Sequence, residues 1–199
     1  YYLSMLDKKG YSFSRKYYCD GNIRYNLDYE LEPNKEVAII TPPALKTIEF
    51  LVISDIHLSS SKERLDLIDK AYNYCVINDI NLIIIAGDII DGFLGNKKQK
   101  KFDDIEEQID YALKVYPYDK NILNFTCLGN HEYDILEKTG QNFETILLAK
   151  RHDIIPLGYG IGKLNIKNDQ IIVKHPKTPV SNIIDDSDKL KLIGPYHHS

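Results

Sequence analysis

Three short polar motifs in the sequence contain the residue types that bind divalent metal ions in proteins. They are Asp55-Ile56-His57, Gly87-Asp88-Ile89-Ile90-Asp91 and Gly129-Asn130-His131-Glu132. Side chains two positions apart in an extended chain point to the same side, so Asp55 and His57 can approach one point. Imidazoles, carboxylates and an amide oxygen together suit manganese, iron or zinc, whereas an all-oxygen set would favour magnesium or calcium. The motifs therefore predict a transition-metal site, although each one alone is also common as an ordinary turn or cap.

Each motif directly follows an apolar run that predicts a β-strand. The runs are residues 48–54, 82–86 and 121–128. The unbroken apolar run of residues 82–86 is typical of a strand that is buried on both faces of a parallel sheet. The carboxyl ends of parallel strands share one edge, and α/β proteins bind their ligands at that edge. We therefore expect the three motifs to meet there.

Helical periodicity between these runs predicts the crossover helices of a parallel sheet. Apolar residues recur at helical spacing from Glu63 to Ile77, with N-cap candidates at Ser59–Ser61. A second helix is predicted from Asp103 until Pro117 stops it, and a third between Ile135 and Lys150, interrupted at Gly140. The pattern indicates βαβ units with right-handed crossovers.

From Ile154 onward the pattern consists of strands alone. Asn168-Asp169 separates two of them as a hairpin turn, and His175 and His197 each follow a later strand. Of the six histidines, only His152 lies away from a strand-end motif. His175 and His197 therefore join the candidate metal ligands.

The first 46 residues differ in composition from the rest and are rich in tyrosine. Apolar and polar residues alternate there, which predicts a β hairpin or meander that packs on a main domain of residues 47–199. The cluster Arg15-Lys16-Tyr17-Tyr18 offers a less favoured alternative, a basic and aromatic surface for nucleic acid.

Composition limits the partners and the compartment. The net charge of −4 gives no overall electrostatic attraction for nucleic acid or anionic membranes. Three cysteines without paired spacing predict reduced thiols in a cytoplasmic protein. No apolar run approaches the roughly twenty residues that span a bilayer, and no signal-peptide pattern is visible.

Taken in order, these motifs resemble the calcineurin-like metallophosphoesterase superfamily. The resemblance runs from about Ile48 to His198 and includes a terminal Gly194-x-x-His197. It implies an α/β fold in a four-layer α/β/β/α sandwich of two mixed sheets flanked by helices, with the tyrosine-rich β extension outside it. It also implies a hydrolase with two divalent ions, manganese being favoured, and a phosphoester substrate.

The resemblance also implies roles for single residues. The first ion would be held by Asp55, His57, Asp88 and His197, and the second by Asp88, Asn130 and His175. A hydroxide bridging the two ions would be the nucleophile. His131 would donate a proton to the leaving alkoxide, Asp91 would hold its other ring nitrogen, and Glu132 would be structural.

One departure from the family pattern keeps alternatives open. The family usually ends this set with Gly-His-x-His, and here Pro195 stands where a ligand of the second ion is expected. The adjacent His198 is a candidate substitute for this ligand. Otherwise the second ion is bound more weakly, has its coordination completed by water, or is absent. The chain is thus a phosphomonoesterase or phosphodiesterase, a nuclease of the same superfamily, or a non-catalytic binding module whose second metal site has decayed. Only the lysines at 97, 98, 100 and 101 support the nuclease.

Overall fold

The computed structural model of the protein describes residues 12–28, 36–41, 45–94, 100–175 and 190–193. Within these ranges the strands are β1 (Ser12–Tyr18), β2 (Ile23–Asp28), β3 (Glu36–Ile40), β4 (Leu51–Ile53), β5 (Leu82–Ala86), β6 (Leu123–Leu128), β7 (Ile154–Tyr159), β8 (Ile161–Ile166), β9 (Asp169–Lys174) and β10 (Leu190–Ile193). The helices are α1 (Leu65–Ile77), α2 (Ile105–Val115), α3 (Asn130–Thr139) and α4 (Phe143–Lys150).

The site-bearing sheet has four strands in the order β4-β5-β6-β7, and every pairing in it is parallel. All five residues of β5 are at most 2% exposed, which confirms the predicted burial on both faces. Ile83 and Ile85 pack against the helices, and Leu82 and Ile84 pack towards the second sheet. The expectation of two mixed sheets is wrong for this sheet, because helical segments join its successive strands and return the chain in the same direction.

The helices follow the predicted order, with corrections at their ends. Asp104 caps α2 by accepting a hydrogen bond from the Glu107 N–H at 2.9 Å, and α2 ends before Pro117 as predicted. Gly140, in the left-handed conformation, separates α3 from α4 completely instead of interrupting a single helix.

The predicted serine caps of α1 are wrong. Arg64 occupies the N-cap position and makes no side-chain cap hydrogen bond. Ser59 is instead fully buried, and its hydroxyl donates to Oε1 of Gln108 at 3.0 Å. The serine therefore ties the loop after β4 to α2.

The second sheet has six strands in the order β10-β9-β8-β3-β1-β2. The β8–β9 hairpin turns at Lys167 and Asn168, one residue earlier than predicted, with Lys167 in the left-handed region (φ 56°). β3 pairs with β8 in parallel, so the N-terminal strands extend the sheet that the C-terminal strands form. A domain boundary at residue 46 stays a prediction.

The described elements form three layers around two apolar cores. One core lies between the helices and the four-stranded sheet, and the other lies between the two sheets. All four described helices contribute their buried residues to the first core, so the fourth layer of the expected sandwich stays a prediction. None of the described helices has the length and apolarity needed to cross a membrane.

Candidate metal centre

Main-chain hydrogen bonds hold two of the motifs side by side beyond the ends of their strands. The Asp55 N–H donates to the carbonyl oxygen of Gly87, and the His57 N–H donates to that of Asp88, each at 3.0 Å. These bonds continue the pairing of β4 with β5 into the loops. They bring the Asp55-x-His57 motif next to Asp88.

Several of these residues adopt a backbone conformation that is uncommon outside glycine. Asp55, His57, Ser59 and Asp88 have φ values of 53°, 45°, 75° and 52°. Left-handed residues of this kind cluster at ligand sites, where the surrounding structure holds them in place. Here the hydrogen bonds between the two loops hold them.

Asp88 lies at the centre of the site and is fully buried. Its Oδ1 accepts a hydrogen bond from the His131 N–H at 3.1 Å. Its Oδ2 faces three imidazoles: Nε2 of His175 at 3.1 Å, Nε2 of His131 at 3.9 Å and Nε2 of His57 at 4.0 Å. This buried oxygen accepts no hydrogen bond from any described residue. A carboxylate oxygen surrounded by imidazole nitrogens is a typical environment for a metal ligand.

His175 presents one ring nitrogen to the site and anchors the other. Nδ1 lies 2.8 Å from the carbonyl oxygen of Ala86; since that oxygen can only accept, Nδ1 carries a proton. Nε2 faces Asp88 Oδ2 and lies 2.9 Å from Oδ1 of Asn130. Burial opposes a charge on His175, but the adjacent Asp88 carboxylate raises the pKa of His175 to about 9. A proton and a divalent cation therefore compete for Nε2.

The distances between these groups suit ligands of a shared ion. Ligand atoms of Asp55, Asp88 and His175 all lie within 4.8 Å of one another, and His57 Nε2 is 3.9 Å from Asp55 Oδ1. Two ligands that each lie about 2.1 Å from one ion are about 3.0 Å apart at right angles and about 4.2 Å apart when opposite. With the buried Asp88 oxygen that accepts no hydrogen bond, this donor set fits a divalent cation.

A second group consists of His57, Asp91 and His131, whose ligand atoms also lie within 4.8 Å of one another. Nδ1 of His131 lies 2.5 Å from the main-chain carbonyl oxygen of Asp91, so the expected link between these residues runs through the main chain. The Asp91 carboxylate faces His57 instead, with Oδ1 3.6 Å from Nδ1. Burial raises the pKa of Asp91.

Two glycines of the motifs are required by close contacts. A Cβ on Gly87 would lie 2.1 Å from Nδ1 of His175, and one on Gly129 would lie 2.1 Å from Oδ1 of Asp88. The sequence alone showed these glycines only as parts of their motifs. Their positions directly before Asp88 and Asn130 were the sequence feature that could have indicated the close contacts.

Glu132 connects the loops after β5 and β6. It is fully buried, and its Oε1 accepts from the N–H groups of Ile89 (2.7 Å) and Ile90 (3.0 Å). Its Oε2 accepts from the Gly129 N–H at 2.8 Å. Burial and the nearby charge of Asp88 raise the pKa of Glu132 to about 7, while the three N–H groups favour the carboxylate.

The structure brings most of the predicted site residues together. The described ones that converge are Asp55, His57, Asp88, Asp91, Asn130, His131 and His175. His197, Pro195 and His198 lie outside the described residues, as do Lys97 and Lys98. The proposed last ligand and the departure from the family pattern therefore stay predictions.

A comparison with protein families identifies the chain. The profile of the calcineurin-like phosphoesterases matches residues 48–196, which is more than half of the 199 residues. The chain belongs to the calcineurin-like phosphoesterase family. Members of this family typically bind two divalent metal ions, and the two residue groups around Asp88 and His57 contain candidate ligands. The comparison with curated proteins gave no match.

Proposed function

We propose that this protein is a metal-dependent phosphoesterase that hydrolyses phosphomonoesters or phosphodiesters. The observation that carries the proposal is the environment of Asp88 Oδ2, a buried carboxylate oxygen with three imidazoles within 4.0 Å. Among the described residues no hydrogen bond satisfies this oxygen. A buried carboxylate needs a nearby positive charge, and a bound cation would supply it in place of the His175 proton.

The proposed ligand sets follow the family order of motifs. Asp55, His57 and Asp88 would hold one ion, completed by His197, and Asp88, Asn130 and His175 would hold the other. Mixed nitrogen and oxygen donors favour manganese, iron or zinc, and we favour manganese. We also propose a cytoplasmic location, which is consistent with the free thiols of Cys19, Cys75 and Cys127.

The ions, when bound, would supply the Lewis acidity that activates water and neutralises the phosphoryl oxygens. The chain supplies the proton. His131 donates through Nδ1 to the Asp91 carbonyl oxygen, which leaves Nε2 as its reactive nitrogen. With Nδ1 bound to that carbonyl oxygen, Nε2 lies in the lining of the neighbouring cavity and can give its proton to the departing oxygen. Asp91 thus positions His131 through its main chain.

Two variants test the proposal with an aryl phosphate and a bis-aryl phosphodiester in the presence of Mn²⁺. Asp88→Asn should fold but lose both metal and turnover. His131→Ala should keep its metal and lose turnover by roughly 100- to 10,000-fold, the usual contribution of a general acid. His152→Ala, an exposed histidine elsewhere, is the control. Turnover at the parent rate in both site variants would refute the proposal.

The nuclease alternative has less support among the described lysines. Lys101 Nζ lies 2.5 Å from Oε1 of Glu63, and Lys100 Nζ lies 5.6 Å from the ring centroid of Phe93. These contacts pair two of the four lysines, Lys100 and Lys101, with other side chains of the protein. Cleavage of single-stranded DNA across a range of salt concentrations separates a nuclease from a small-molecule phosphoesterase. A chain with one ion or none and no activity would instead be a binding module.

A further inference from the structure

A cavity of about 540 Å³ opens directly beside the candidate metal centre. His57, Asp91 and His131 belong to its lining. Apolar residues of α1 and of the flanking loops form an apolar wall in the same cavity, among them Ile56, Leu67, Ala71 and Leu94. The cavity therefore contains both the proposed proton donor and an apolar wall.

Two charged side chains beside this cavity, Arg64 and Glu63, are bound to other protein groups. The Arg64 guanidinium makes two 2.8 Å hydrogen bonds to the carboxylate of Asp66. The Glu63 carboxylate accepts from Lys101, and from the Ser59 N–H at 2.7 Å. Other polar residues also line the cavity, but most of the lining surface is apolar.

The apolar wall is also accessible. Leu67 is 49% exposed, so its side chain is accessible to a ligand in the cavity. Ala71 lies four residues further along α1, so both side chains are on the same face of the helix. The small side chain of Ala71 leaves room for a planar group.

We propose that the cavity receives the alcohol part of the phosphoester, and that this part is a bulky apolar group the size of one or two fused aromatic rings. This inference rests on the proposed function, because His131 faces the cavity and must protonate the oxygen that leaves with that alcohol. The volume lies within the usual range of roughly 300–1,000 Å³ for small-molecule sites. Because most of the lining surface is apolar, an apolar alcohol removes more of it from water than a sugar does.

The first test compares phenyl and 1-naphthyl esters, offered both as phosphomonoesters and as methyl phosphodiesters. Phenol and 1-naphthol are leaving groups of similar acidity, so the comparison reports on the cavity. The parent should prefer the naphthyl ester by roughly tenfold in kcat/KM, the discrimination that one additional apolar group gives in such a pocket. Ala71→Phe should lower kcat/KM for the naphthyl ester more than for the phenyl ester and so remove the preference, and Leu67→Asn should reduce the preference. Asn73→Phe, at an exposed position of the same helix, should leave it unchanged.

The second test is independent of catalysis. The sequence contains no tryptophan, so binding of 1-naphthol can be followed by its fluorescence anisotropy. The parent should bind 1-naphthol with or without Mn²⁺, and Ala71→Phe should weaken binding at least roughly tenfold.

The outcomes distinguish the inference about the apolar cavity from the proposed phosphoesterase activity. Hydrolysis without naphthyl preference, together with naphthol binding that Ala71→Phe does not change, would overturn the inference and leave the phosphoesterase standing. Naphthol binding that depends on Ala71, in a chain that hydrolyses none of the esters, would support the apolar cavity and overturn the phosphoesterase. Neither binding nor hydrolysis would overturn both.

Discussion

Replacing Gly129 with alanine tests the placement of Asp88. Gly129 has a φ of −90°, which any residue adopts, so the effect of the methyl group is purely steric. The new Cβ would lie 2.1 Å from Asp88 Oδ1, whereas such contacts are essentially never shorter than 3.0 Å, so the carboxylate must move by about 0.9 Å. A movement of about 1 Å costs a catalytic group roughly 100-fold, and comparable perturbations weaken metal binding by roughly 10- to 100-fold. We therefore expect Gly129→Ala to bind Mn²⁺ about 10- to 100-fold more weakly, or about 1.4–2.7 kcal/mol.

Isothermal titration calorimetry with Mn²⁺ measures this affinity, and urea unfolding in a chelator measures stability separately. Gly140→Ala is the matched control, at the other end of α3. Its Cβ meets no atom within 4 Å, but its φ of 73° makes alanine strained. The control should lose about 1 kcal/mol of unfolding free energy and keep the parent affinity. If Gly129→Ala binds Mn²⁺ as tightly as the parent, Asp88 is not the ligand that we infer.

Three further predictions concern stability. Glu132→Gln should lower the free energy of unfolding by about 2 kcal/mol, because an amide cannot accept hydrogen bonds from all three N–H groups that the carboxylate binds. The control is Glu137→Gln, at an exposed position of the same helix, which should have little effect in the same urea titration. Asn124→Ala should cost about 3 kcal/mol, since its amide bonds the buried hydroxyls of Tyr72 and Tyr116 at 2.8 Å each; a melting temperature equal to that of the parent would contradict this. Mn²⁺ at about 100 times its Kd should stabilise the parent by about 2.7 kcal/mol; an unchanged unfolding midpoint would argue against a metal site.

The sequence predicted the site-bearing sheet well because its signals are local. The five apolar residues of β5 can only belong to a doubly covered strand, and their burial confirms it. The N-terminal strands were harder to place. Their alternation predicts strands but not partners, and the pairing of β3 with β8 joins segments more than 120 residues apart. Such pairing depends on register and shape, which short sequence windows do not contain.

The convergence of the site was likewise predictable from strand ends, whereas its supporting contacts were not. Asp55 and Asp88 meet because parallel strands end at one edge, and His175, which follows β9 of the second sheet, joins them by contacting the main chain of Ala86. The main-chain acceptor of His131 and the buried position of Ser59 left no residue-type signal. Main-chain oxygens are identical at every position, so their use is visible only in three dimensions.

The left-handed residues at the strand ends have a consequence for protein engineering. Each such non-glycine residue costs about 1 kcal/mol of folding free energy. The four together therefore oppose folding by a large part of the roughly 5–15 kcal/mol that stabilises a typical domain. Glycine at Asp55, His57 or Asp88 would relax the backbone and raise thermal tolerance. Selection for heat resistance alone would therefore be expected to remove one of these three residues early, and to yield more stable proteins that no longer bind metal.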